Sequence, residues 1–158
     1  MHLRQMLVSL VAILFTSPAH PGPDHFGVTF VPGGAARGQI EKAPEANGNA
    51  LIDYVRNPNH AVLVVRRTRA GRAEVHTLLT DVWYVIDGGG TLVTGGSLVD
   101  GKTVGPGELR GRASSGGIER RIGKGDIIDI PAGVPHWVSK IHGKELVYLT
   151  VKVISPKR

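Results

Sequence analysis

Between residues 61 and 153 the chain is a succession of short apolar runs, most of them separated by turns that contain glycine or proline. The runs cover 61–68 (AVLVVRRT), 73–78 (AEVHTL), 82–87 (VWYVID), 91–95 (TLVTG), 118–122 (IERRI), 126–130 (DIIDI), 136–141 (HWVSKI) and 145–153 (ELVYLTVKV). They are too short for packed helices and rich in β-branched residues, whose side chains suit a pleated surface. The 22 glycines and 10 prolines supply turns at the required frequency. Some eight such strands with no helical pattern between them predict an all-β sandwich or small antiparallel barrel. The segment 96–117 reads as a loop, longer than an ordinary hairpin connection and therefore a place for function.

The sequence before this region has a different character. Arg4, the apolar run 6–15 and small residues at Ser17 and Ala19 have the form of a signal peptide over 1–19, cleaved before His20. The apolar run is too short for a transmembrane helix, which needs about 20 apolar residues. No stable membrane insertion is therefore expected, and the mature protein is read as exported, periplasmic or secreted. A buried N-terminal helix is the alternative. Residues 20–59 read as an extended Pro/Gly-rich arm and a short helix over 35–46 interrupted by Pro44, then a turn at 47–49 and an irregular or strand-like lead-in. The barrel is placed at 60–153 and a tail at 154–158.

Composition removes several functions. With no cysteine, disulfides and thiolate metal sites are excluded, so any metal is held by imidazole nitrogen and carboxylate oxygen. A net charge of +6 attracts anions, but the clusters at 66–72 and 120–124 lack a nucleic-acid-binding module or stacking aromatics, so no nucleic-acid partner is expected. No nucleophile elbow, phosphate loop or dinucleotide fingerprint is present.

Two stretches carry chemistry. In EVHTLLTD, Glu74 and His76 stand two apart, so in a strand they share a face, and Asp81 follows at the next apolar run. In GKGDIIDIPAGVPHWVSK, a Pro-x-Gly-x-Pro turn delivers His136 to the start of a strand. Two imidazoles and a carboxylate on one face form the ligand set of non-haem metal sites with open positions. Glu74 is either a fourth ligand or, with the strand rolled, half of a surface pair with an arginine; Asp81 is either a ligand or a turn residue.

The two stretches resemble the paired motifs of the cupin superfamily. The second motif, G-x5-P-x-G-x2-H-x3-N, is matched by Gly125, Pro131, Gly133 and His136 and departs at Lys140. The first, G-x5-H-x-H-x3,4-E-x6-G, is matched by Glu74, His76, Asp81 and Gly88, with Glu in place of the first His, Asp in place of the Glu, and Thr68 in place of the leading Gly. The resemblance implies a cupin-type antiparallel β-barrel, jelly-roll-like, that holds one divalent metal in its mouth through His76, Asp81 and His136, with Glu74 as the further ligand. Fe, Mn, Ni, Co and Zn all suit this set. It also implies a homodimer and a small-molecule substrate or ligand. The function expected is that of a metal-dependent enzyme of the dioxygenase, isomerase or decarboxylase type; the alternative is a non-catalytic small-ligand or metal-binding module with a degenerate site. Trp83, Tyr84, Trp137 and Tyr148 are expected in the core or lining the barrel. His142, Glu108, Arg110 and Arg112 are expected to face solvent, the last three with a second role closing over the mouth on an anion.

Overall fold

The structure, a computed structural model, describes residues 22–155; the targeting segment read at 1–19 lies outside them. Among the described residues there is one short helix, α1 (Ala35–Lys42), which precedes every strand. Twelve strands follow: β1 (Glu45–Ala46), β2 (Asn49–Arg56), β3 (His60–Arg67), β4 (Ala73–His76), β5 (Leu79–Thr94), β6 (Ser97–Val99), β7 (Lys102–Gly105), β8 (Glu108–Gly111), β9 (Ala113–Ser115), β10 (Ile118–Gly123), β11 (Ile127–Ile130) and β12 (His136–Ile154).

Ten strands form one antiparallel sheet, with β6 and β9 paired separately. Its frame is the pairing of β5 with β12, which runs from Leu79↔Ile154 to Thr94↔His136. The outer half of β12 also pairs with β3, and β3 with β2; β5 pairs with β11 along one half and β10 along the other. The sheet can curl because both long strands break register at the same level, between His142 and Leu146 on β12 and across Gly88–Gly90 on β5. Gly88 has a positive φ of 71°, and a Cβ there would lie 1.9 Å from the carbonyl oxygen of Glu145. No other residue fits that crossing.

Side chains alternate between two cores, as a strand period of two demands. Val65, Trp83, Val85, Leu92, Ile122, Ile130, Val138, Leu146 and Tyr148 fill the inside of the curl. Their chain neighbours Val64 and Val147 point outward and meet Ile40 and Ala43 of the α1 segment with Ala50 and Tyr54 of β2. The helix therefore seals the outer face of the sheet, and leaves the inner face to the site.

Three readings of the sequence change here. Runs 82–87 and 91–95 are one strand, and so are 136–141 and 145–153, because the glycine-rich and bulged stretches between them bend without breaking the ladder. The lead-in is a full strand, β2. The segment 96–117 is a set of four short strands, β6 to β9, with β8 docked on β4 in the register Glu74↔Arg110 and His76↔Glu108.

Candidate metal centre

Glu74, His76, Asp81 and His136 converge at one end of the curl. His136 is paired in register with Glu74 of β4 on one side and Thr94 of β5 on the other. The Pro131–Pro135 turn is fastened to the same place: Gly133 N–H donates to the His76 carbonyl at 2.9 Å, and Gly95 N–H to the Pro135 carbonyl at 2.8 Å. Gly133 adopts φ 85°, which the turn requires. The glycine and prolines of the second motif thus join the two histidine-bearing strands.

Second partners fix both imidazoles. His136 Nδ1 donates to the Val134 carbonyl at 3.0 Å, which leaves Nε2 with a lone pair. His76 Nδ1 donates to Glu108 at 2.7 and 2.8 Å, which aims its Nε2 the same way. Such carboxylate or carbonyl partners set the tautomer and orientation of metal-binding histidines. Glu74 Oε1 lies 3.4 Å from His136 Nε2 and 3.9 Å from His76 Nε2. Glu74, His76 and His136 each offer one donor atom within 4.8 Å of the others. Asp81 Oδ2 stands close by, 3.7 Å from His76 Nε2 and 3.8 Å from His136 Nε2.

His136 Nε2 is buried and has no hydrogen-bond partner among the described residues. A buried ring nitrogen without a well-formed hydrogen bond is costly, and a cation on its lone pair, in place of the proton it otherwise turns toward Glu74, removes that cost. The residues present therefore fit a divalent metal. Burial alone would raise the pKa of Glu74, but the approach of His136, with the further influence of Arg110 and His76, outweighs it and holds the carboxyl well below the usual carboxylate range. Its ionised oxygens are a hard donor.

Four further residues complete the site: Lys152 and Arg67, which the sequence did not mark, and Glu108 and Arg110, which it gave a second role at the mouth. Lys152 Nζ donates to His76 Nε2 at 2.9 Å and to Asp81 Oδ1 and Oδ2 at 2.8 and 2.6 Å, which uses all three of its protons. Arg110 Nη1 bridges Glu74 Oε2 at 3.1 Å and Glu108 Oε2 at 3.2 Å. Glu108 and Arg110 belong to the site, and solvent exposure describes Arg112, which pairs at the surface with Asp100. Arg67 Nε donates to the Tyr148 hydroxyl at 3.1 Å. The signal for Lys152 and Arg67 was the strand period: Tyr148, Thr150 and Lys152, like Leu63, Val65 and Arg67, alternate onto the inner face. Lys152, Arg110 and Arg67, with Glu74, His76 and Asp81, line a cavity of about 170 Å³ walled by Leu63, Val65, Trp83 and Tyr148. Trp83 stacks on Tyr148 with ring centroids 4.3 Å apart and meets His136 edge-on. Of the other aromatics, Trp137 is half-buried, and Tyr84 is exposed on the outer surface. His142 is half-buried rather than exposed, and bonded to Thr91 at 3.0 Å, away from the site.

Among solved structures the chain is similar to a conserved protein with a double-stranded β-helix domain from Klebsiella pneumoniae, at 15% identity and a TM-score of 0.51 over 75% of this chain and 84% of that one. It is also similar to KdgF from Halomonas, at 15% identity and a TM-score of 0.50 over 70% and 84%, and to a predicted oxalate decarboxylase from Thermotoga maritima, at 12% and 0.50 over 68% and 81%. The chain has the cupin fold. No family model and no curated protein matches the sequence. At these identities the likeness of this chain to its neighbours extends to the barrel and not to what any of them does.

Proposed function

We propose that this cupin is an exported, metal-dependent enzyme that acts on a small organic substrate, of the dioxygenase, isomerase or decarboxylase type, and works as a homodimer. The observation that carries the reading is the orphaned Nε2 of His136, buried where Glu74 and His76 converge. Glu74, His76 and His136 would hold one divalent ion, with Asp81 the next carboxylate at hand. Such an ion polarises a carbonyl or activates a bound oxygen ligand.

The chain's own side chains supply the rest. Glu108 holds His76 with its donor nitrogen inward, and Arg110 holds Glu74 and Glu108 together. Leu63, Val65 and Trp83 form the apolar side of the cavity, against which a carbon body can pack. Lys152 places an ammonium proton against His76 Nε2, so that lone pair is free for a metal once the ammonium has withdrawn to Asp81 alone.

That same ammonium favours a second reading, a metal-free binding module in which Lys152 is the permanent cation of the cavity. Metal content of purified protein, compared with His76→Ala and His136→Ala, separates the two. The enzyme reading expects bound metal that both substitutions reduce; the module reading expects none.

No helix among the described residues is long and apolar enough to cross a membrane. Export rests on the form of residues 1–19, and sequencing the N-terminus of protein recovered from the cell exterior or periplasm tests it: a first residue at His20 supports cleavage, and a retained Met1 opposes it.

A further inference from the structure

Among the described residues Arg67 is the cavity-lining cation without an ion-pair partner, and the Glu74 carboxylate acts on it only from beyond ion-pair distance. Arg110 is paired with Glu74 and Lys152 with Asp81, whereas Arg67 donates to the neutral hydroxyl of Tyr148 and makes no ion pair among the described residues. A guanidinium does not shed its proton, so a half-buried one with no carboxylate in contact is held at a cost that an anion would offset. The backbone makes room for it. A Cβ on Gly71 would lie 2.7 Å from Arg67 Nη1, so the terminal nitrogens rest against the bare backbone of Gly71 and a methyl there would push them aside.

The charge around the site points the same way. Glu74, Asp81 and Glu108 stand against Lys152, Arg110 and Arg67, three of each sign. A divalent ion adds two positive charges to this balance, and an anionic ligand reduces the excess. The walls of the cavity, about 170 Å³ in volume, include Leu63, Val65, Trp83 and Tyr148 beside Arg67. The guanidinium fork suits a planar two-oxygen group, and the apolar walls suit a carbon body.

We propose that Arg67 is the anion-binding residue of the cavity and that the ligand is a small carboxylate with an apolar body, its carboxylate on the guanidinium and its other end toward His76 and His136. This inference deepens the proposed function and rests on that reading of the cavity as the substrate site. Tyr148, held by Arg67 Nε, positions the guanidinium. No covalent step is assigned to either residue.

Calorimetric titration of benzoate, benzamide and inorganic phosphate into the folded protein, with and without Mn²⁺, tests it. Benzoate should bind, and bind more tightly with Mn²⁺; benzamide, its uncharged counterpart, and phosphate should each bind at least ~10-fold more weakly. Arg67→Met should weaken benzoate at least ~10-fold while Mn²⁺ stoichiometry and Tm hold, and Arg67→Lys should restore only part. Gly71→Ala keeps the charge, displaces the guanidinium and should also weaken benzoate, which covers the case of an Arg67→Met protein that fails to fold. Benzoate binding unchanged in Arg67→Met or Gly71→Ala, equal binding of benzamide, tighter binding of phosphate, or no benzoate binding at millimolar concentration overturns the proposal. Failure to bind Mn²⁺ overturns the metal reading alone; Arg67-dependent benzoate binding in that same protein still supports the carboxylate site.

Discussion

Lys152 Nζ lies 2.9 Å from His76 Nε2, on the same lone pair that a metal would take. The ammonium and a metal ion are competitors for one nitrogen. Replacing Lys152 with Met should raise metal affinity by at least ~10-fold, about 1.4 kcal/mol, because nothing has to leave His76. The metal-free variant should be less stable. Asp81, 2% exposed, loses its cation, and removing one partner of a buried pair costs ~3–5 kcal/mol, with the lower end apt because Lys152 is 24% exposed. Calorimetric metal titration and thermal melts check both. Unchanged affinity would show that the two cations do not compete.

Glu108 makes no approach to the ligand position itself; it acts through His76 Nδ1. Glu108→Gln should lower metal affinity by ~10–100-fold, the usual effect of losing an outer carboxylate, and leave the fold intact. Metal titration alongside circular dichroism reads the two effects apart. Loss of structure with unchanged affinity would make Glu108 a fold residue instead.

The depressed pKa of Glu74 sets an acid limit. A carboxyl whose folded pKa lies below its unfolded value stabilises the protein fully above the unfolded value of about 4.3, and this contribution drains away as pH falls below it toward the folded value. Tm of metal-free wild type should therefore fall more steeply below about pH 4.3 than that of Glu74→Gln, which carries no such proton. Parallel curves would contradict the ionised, His136-facing carboxylate.

Gly88→Ala should destabilise the barrel by at least ~2 kcal/mol, because it combines a positive φ with a Cβ 1.9 Å from the Glu145 carbonyl oxygen. Gly125→Ala, also at positive φ but with open space around it, should cost less. Denaturant melts of the two variants give the comparison.

The barrel was legible because its signals are local. Glycines and prolines mark bends, and the motif around His136 places a histidine after a turn whose glycine is bonded to His76. Glu74, His76, Asp81 and His136 were found through their spacing and their resemblance to the paired cupin motifs, and the structure brings all four to one place. Glu108 and Arg110 were read toward solvent because their role depends on β8 docking on β4, a pairing across more than thirty residues of which neither strand gives a sign. Lys152 lay inside an apolar strand where only its parity with Tyr148 and Thr150 set it apart. The joined strands β5 and β12 were divided in the sequence because glycine runs and bulges look like turns until a partner strand bends with them.

The central claim is that the converging histidines hold a metal, and elemental analysis of the purified protein tests it most directly. The account predicts close to one divalent ion per chain in the wild type and a marked loss in both His76→Ala and His136→Ala. Substoichiometric metal in the wild type after reloading, or undiminished metal in both variants, would contradict it.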